Sequence, residues 1–227
     1  MKVLVFDTET SGLSKTKIIN LSTIHLWPFI VQFSYIIFDT DTCSILKMFD
    51  TIIKVKPYNV ISEESSKIHG ITNEISTNKG VDIQEVLFEF CSDIDEVDLM
   101  VAHNINFDLP LIKVELLRCM QNNIDTNDIY QSLKDNFETI LNKKEKYCTM
   151  ENSIHLCKIE RENSRGKYLK FPTLSELHVY LFNVTPCNLH NSLNDILITL
   201  RCYMKMKHDI DVIEKDNTIR YMILLLL

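Results

Sequence analysis

Acidic side chains in three short segments of this chain, with one histidine beside the last of them, have the types and spacing to hold divalent cations next to a proton acceptor. They are Asp7 and Glu9 in VFDTETSGL, Asp108 in AHNINFDLPLI, and His190 with Asp195 in HNSLND. Asp7 and Glu9 end the apolar run from Val3 to Phe6, which reads as a buried strand, and residues two apart on a strand share a face. Both carboxylates can therefore serve one ion. On a continuous helix, residues spaced like His190 and Asp195 would lie roughly 140° apart. The spacing thus predicts a helix starting near Ser192, with His190 on the preceding loop and Asp195 in the first turn. Asp108 follows the apolar stretch from Leu99 to Ala102 and opens an amphipathic segment carrying Leu109, Ile112, Leu116 and Leu117.

Four gathered carboxylates repel one another, and burying them without cations costs more than a fold can sustain. Oxygen ligation favours Mg²⁺ or Mn²⁺, and two such ions about 3.5 to 4 Å apart are a common device for phosphodiester chemistry. A histidine with an unperturbed pKa of about 6.5 can be neutral at working pH and accept the proton of an attacking water.

With those residues in place, the chain resembles the DEDDh-type 3′→5′ exonucleases of the DnaQ-like, RNase H-like superfamily. FDTETSGL resembles the first exonuclease motif, HNINFD the second and HNSLND the third, in the family's order. Trp27, Pro28, Ile30, Val31 and Gln32 resemble the start of the family's second strand, Ile68 to Thr72 its HGIT segment, and Pro172 to Leu177 its PxLSEL helix. A sister class carries tyrosine four residues before the last aspartate, where this chain has Asn191. The resemblance implies that Asp7, Glu9 and Asp195 hold one Mg²⁺ (or Mn²⁺) while Asp7 and Asp108 hold a second, with His190 as general base. It further implies that the backbone around Thr8 and Thr10, and the Asn104 side chain, lie near the terminal nucleotide. Leu13 would wedge against a base, and His69 would line the nucleotide pocket. Two departures stand out: many relatives have alanine where Ser192 stands, and the stretch from Ser14 to Leu26 is longer than the usual connection.

Each segment also has an ordinary reading. An Asp-x-Glu at a strand end arises by chance, Ser192 with Asp195 matches the spacing of a capping box, and Asp108 could be a carboxylate favoured by a helix dipole. Their occurrence together, in one order and with matching flanks, favours the shared site. The implied function is hydrolysis of 3′-terminal phosphodiester bonds of DNA (or RNA), releasing nucleoside 5′-monophosphates from single-stranded or frayed ends. The alternatives are an RNA-trimming enzyme of the same fold and a catalytically silent module that binds nucleic acid or a polymerase. With no polymerase domain in the sequence, proofreading or repair would need a partner in trans.

Composition is compatible with these readings. The 227 residues are 45% hydrophobic and 24% charged, ordinary for a globular chain. The net charge, 24 basic minus 31 acidic residues, is −7, which disfavours broad duplex binding and suits an enzyme that grips a strand end. Seven cysteines without a CxxC pair imply no disulfide framework. Cys148, His155 and Cys157, or Cys187 with His190, match no established zinc spacing. MKVLVFD meets an aspartate too early for a signal peptide and MILLLL is too short to span a bilayer, so the expectation is an intracellular protein, cytoplasmic or nuclear, with no membrane partner. MILLLL itself reads as a docking strand or a packed helix end.

The expected architecture is α/β, an RNase H-like mixed sheet flanked by helices. Strands at Val3 to Phe6, Ile30 to Phe38 and Met48 to Val55 form an antiparallel three-stranded start, and Leu99 to Ala102 adds a parallel strand. Helices are expected around Glu63 to His69, Ile83 to Phe90, Asp108 to Gln121, Thr173 to Phe182 and Ser192 to Met206. Residues 122–170 are the least legible. Their segment KIERENSRGKYLK, at 158–170, carries five basic and two acidic residues and reads either as an arm reaching substrate phosphates or as a solvated loop. One domain over 1–227 is expected, with a core to about residue 208 and a C-terminal extension at 209–227.

Overall fold

The computed structural model describes residues 1–56, 59–122, 131, 135, 137–139 and 143–227. Its centre is β1 (Lys2–Thr10), flanked on one side by the antiparallel β2 (Ile30–Asp39) and on the other by the parallel β4 (Leu99–Ala102). β3 (Ser44–Ile52) completes the antiparallel meander, and β5 (Glu145–Cys148) adds a second parallel strand, for the order β3-β2-β1-β4-β5. The result is the mixed α/β sheet expected.

β1 is apolar in sequence because both faces of the sheet are covered. Leu4 and Phe6 point into a core with Phe33, Tyr35, Phe90 and Leu111, where α3 (Ile83–Asp95) and α4 (Ile105–Asn122) lie. Val3 and Val5 point to the opposite core with Ile36, Leu177, Ile196 and Tyr203, beneath α5 (Leu174–Phe182) and α6 (Ser192–His208). The period of two then assigns Asp7 and Glu9 to the α6 face, and Thr8 and Thr10 to the α4 face.

Local sequence sets the helix ends. Ser62 caps α1 (Glu63–His69), which stops at Gly70 with φ +77°, a left-handed conformation that glycine adopts without strain. Thr173 and Glu176 form a reciprocal capping box at the start of α5. Asp216 caps α7 (Asn217–Leu224), whose Ile219 and Ile223 are buried together with Leu226. MILLLL is therefore a packed helix end rather than a strand.

Five features differ from expectation. β3 begins at Ser44 because the turn at Thr40–Cys43, with Cys43 at φ +53°, is tight; Ile53 N–H still donates to the Val31 carbonyl of β2, and from Lys54, whose N–H donates to the Val81 carbonyl, the chain leaves β2. α2 (Asn73–Lys79), a polar seven-residue helix capped by Thr72, has no strong periodicity by which to be read. α3 continues five residues past Phe90, burying Cys91 and Ile94. α4 begins at Ile105 instead of Asp108 and accommodates Pro110 in its second turn. Residues 158–170 are not an irregular loop but a hairpin of β6 (Glu160–Asn163) and β7 (Gly166–Leu169); much of 122–142 lies outside the described residues.

Phe90 is fully buried, with ring centroids 4.9 Å from Phe33, 5.4 Å from Tyr35 and 5.9 Å from Phe6. Phe90→Ala is expected to destabilise the protein by about 3 to 5 kcal/mol, read as a lower urea midpoint with an unchanged denaturant slope.

Candidate active site

The site forms where β1 outruns its parallel neighbour. Pairing with β4 extends only from Val3 opposite Leu99 to Val5 opposite Val101, so residues 7–9 have no strand on that side. Asp108, in the first turn of α4, takes the vacant hydrogen-bonding position: its Oδ1 accepts from the Thr8 backbone N–H at 3.0 Å and from Thr8 Oγ1 at 2.7 Å. Asp108 thereby caps the open end of β1 from the α4 face.

On the other face, α6 begins at Ser192 as the spacing predicted, with Asn191 as its capping residue. Asp195 projects from the first turn, and ligand oxygens of Asp7, Glu9 and Asp195 all lie within 4.8 Å of one another. Among the described residues no other group of three or more histidine, cysteine or acidic side chains converges in this way, so Cys148, His155 and Cys157 do not gather as a zinc site. Asp108 stands outside the tight trio yet close enough to raise the proton affinity of Asp7 and Glu9. His190 is exposed on the loop before α6 at φ +67°, and its backbone N–H donates to both Asp195 oxygens at 3.3 Å. Ser192 and Asp195 do not form a capping box, because Asn191 is the cap; Asp195 does accept a backbone hydrogen bond at the helix start, from His190, while its carboxylate also joins Asp7 and Glu9.

Burial and mutual repulsion dominate the electrostatics. Burial, then the charges of Asp108, Asp195 and Glu9, hold the Asp7 carboxyl far above the usual range. Glu9 is pushed to about 8 by burial and then by Asp195 and Asp108. Burial lifts Asp108 to about 7 against the opposing bonds from Thr8, and Asp195 to about 7 against the His190 N–H. A set of oxygen donors that resists ionisation this strongly fits hard divalent cations, which return the carboxylates to their charged form.

Behind the carboxylates lies a polar clamp that no motif or periodic pattern in the chain announces. Gln32 and Ser34 are the cross-strand partners of Glu9 and Asp7 and share their face. Gln32 Oε1 accepts from the Ser192 backbone N–H at 3.3 Å, and the Ser34 and Ser192 hydroxyls are 2.5 Å apart. Gln32 and Ser34 both donate to Asp50 Oδ1, at 2.8 and 2.6 Å. With its proton given to Asp50, Ser34 must accept from Ser192, so the Ser192 hydroxyl ties the start of α6 to the sheet. The departure at Ser192 was the one sequence signal.

Thr8, Thr10, Leu13 and His69 line a cavity of about 630 Å³ beside Glu9, together with Ser11, Trp27, Ser62, Ile68 and Phe107. Leu13 is 81% exposed at its rim, and Asn104, at φ +76° in the turn before α4, is not among the lining residues. The longer connection at 14–26 supplies Lys15, His25 and Leu26 to one wall. His69 Nδ1 accepts from Ile71 N–H at 3.1 Å, so Nε2 carries the proton donated to the Thr10 carbonyl at 3.2 Å. Burial, opposed by that bond, and then the nearby His190 lower its proton affinity and favour this neutral form.

A family model described as exonuclease (RNase_T) matches residues 4–203. The chain belongs to the exonuclease family. Its three motifs and its fold make it a DnaQ-like 3′→5′ exonuclease of the DEDDh type. It is 27% identical over 220 residues to the DNA polymerase III subunit epsilon of Buchnera aphidicola, covering 97% of this chain and 78% of that protein. In fold it is similar to E. coli exonuclease I in complex with a dT13 oligonucleotide (TM-score 0.60, 16% identity, 92% of this chain) and to the zinc-bound form of the same enzyme with single-stranded DNA (TM-score 0.59, 14% identity, 92% of this chain). The chain spans only about two fifths of those structures, 42% and 41%.

The exonuclease's raised carboxyl pKa values carry a linkage consequence. A folded carboxyl that holds its proton above the unfolded value binds more protons than the unfolded chain between about pH 4 and its own pKa, so stability is full below that window and falls as pH rises through it. Three histidines with lowered proton affinity, His69, His103 and His178, act oppositely but only up to about pH 6.5. Between about pH 6.5 and 8 the melting temperature of the metal-free protein is therefore expected to fall, and to fall less in Asp195→Asn. A profile flat in both proteins over that range would show that the carboxylates are not crowded.

Proposed function

We propose that this exonuclease hydrolyses the 3′-terminal phosphodiester of single-stranded or frayed DNA and releases nucleoside 5′-monophosphates, in a single domain spanning 1–227. The observation that carries the reading is the convergence of Asp7, Glu9 and Asp195, with His190 joined to Asp195 through its own backbone. DNA is favoured over RNA because the relative matched along nearly the whole chain is a DNA polymerase III subunit and the similar solved structures hold DNA oligonucleotides. The same relative supports a polymerase as partner in trans.

Asp7, Glu9 and Asp195 would hold one Mg²⁺ or Mn²⁺, and Asp7 with Asp108 a second; such ions supply positive charge to the phosphate and acidify the attacking water. Asp108 has one oxygen engaged by Thr8, which fixes its carboxyl plane against the end of β1. The terminal nucleotide occupies the cavity between Thr8, Thr10 and His69, with Leu13 at the rim against a base. Neutral His69 keeps the Thr10 carbonyl in place as one wall of it. His190 accepts the proton of the attacking water on its ring and, being exposed, passes it to solvent. Water oxygen bonds to phosphorus as the bond to the O3′ of the penultimate nucleotide breaks, leaving a 5′-monophosphate and a strand shortened by one with a new 3′-hydroxyl.

Incubating 5′-labelled DNA and RNA strands with Mg²⁺ or Mn²⁺ is expected to give a ladder shortening from the 3′ end, stronger for DNA and absent with chelator. Asp7→Ala should abolish it. His190→Ala should lower kcat by roughly 10²- to 10⁴-fold, the usual contribution of a general base. Full turnover by Asp7→Ala would overturn the reading.

A further inference from the structure

The hairpin of β6 and β7 is not used by the site described above, yet it is rooted beside it. Its foot is closed by the Lys170 N–H donating to the Ile159 carbonyl at 3.0 Å. Two residues on, the Pro172 carbonyl pairs with His103 Nε2 at 3.2 Å, and His103 Nδ1 pairs with Thr149 Oγ1 at 2.9 Å. His103 begins the turn that delivers Asp108, so the hairpin and the second motif share one anchor.

The hairpin's two faces differ in chemistry. Register pairs Arg161 with Tyr168 and Asn163 with Gly166, and directly paired residues share a face. The opposite face carries Glu160, Glu162, Lys167 and Leu169, and there Lys167 is neutralised by Glu160 at 3.5 Å. Arg161 and Arg165, the latter at the turn, are exposed and enter no ion pair among the described residues, and Tyr168 is 47% exposed. A chain of net charge −7 thus presents two unpaired guanidinium groups around an aromatic ring on one exposed ribbon. Those are the two components of sequence-tolerant single-strand binding: cations for the backbone and a stacking surface for bases.

We propose that the Arg161–Tyr168 face of this hairpin, with Arg165 at its tip, binds the single-stranded part of the substrate upstream of the terminal nucleotide. Arg161 and Arg165 contact phosphates and Tyr168 stacks on a base, while Lys167 takes no part. This rests on the exonuclease reading for which strand is bound, and it concerns binding outside the hydrolytic centre.

The test is fluorescence anisotropy of labelled dT20 in the presence of chelator, at about 50 and 200 mM salt, for the intact protein, the triple variant Arg161→Ala/Arg165→Ala/Tyr168→Ala, and Lys167→Ala. The triple variant is expected to bind about fivefold or more weakly, the low end for one lost stacking contact. Its dependence of log affinity on log salt should be shallower by about 1.4, for two lost phosphate contacts; Lys167→Ala should match the intact protein. Hydrolysis of p-nitrophenyl thymidine 5′-phosphate with Mn²⁺, which has no strand to reach the hairpin, should be equal in all three. Failure of the intact protein to cleave that ester counts against the hydrolytic reading and leaves the anisotropy comparison standing. The proposal is overturned if the intact protein does not bind dT20, if the triple variant binds it unchanged, if Lys167→Ala loses as much, or if the triple variant alone loses ester hydrolysis.

Discussion

Crowding of carboxylates at the open end of the central strand is the constraint around which this molecule is arranged. β1 continues past the last residue paired with β4, which leaves backbone groups unpaired and side chains of both faces within reach of one point. Asp108 satisfies the first need and adds a negative charge; Asp7, Glu9 and Asp195 converge from the other side. Burial raises the proton affinity of all four carboxyls, and neighbouring negative charges add to it at Asp7, Glu9 and Asp108. A fold that holds such a set together is storing repulsion that a divalent cation relieves, so stability and function pull in opposite directions at this site.

The scaffold that sustains the repulsion lies around the site rather than in it. Two hydrophobic layers, one under α3 and α4 and one under α5 and α6, clamp the sheet from both sides. Between the second layer and the carboxylates sits the Ser192, Ser34, Gln32 and Asp50 network, which fixes the start of α6 against β2. Farther along α6, Arg201 forms a bidentate pair with Asp211, at 2.9 and 2.7 Å, and donates to His178 Nε2 of α5 at 2.9 Å. The helix carrying Asp195 is thus held at its start and at its middle by buried polar contacts, which specify position more sharply than apolar packing does.

Much of this was legible in the amino-acid sequence, for identifiable reasons. The strand that carries Asp7 and Glu9 is marked by an unbroken apolar run, and strand periodicity places the two on one face. The spacing of His190 and Asp195 excludes a continuous helix, and α6 does begin at Ser192. α2 and β5 were not legible, because a short polar helix and a polar edge strand owe their form to neighbours rather than to a periodic pattern of their own.

The sequence by itself determined which residues could do chemistry, the face of β1 that carries two of them and the helix start that frees His190. These follow from the fixed geometry of strands and helices, which depends only on neighbouring residues. Tertiary structure alone decided that Asp108 bonds to Thr8 across a sheet edge, that Ser34 and Gln32 hold Ser192, and that the basic segment is a ribbon with Arg161 and Tyr168 on one face and Lys167 beside two glutamates on the other. Those contacts join residues far apart in the chain, such as Thr8 with Asp108 and Ser34 with Ser192. Local pattern carries no information about them until the two layers have packed.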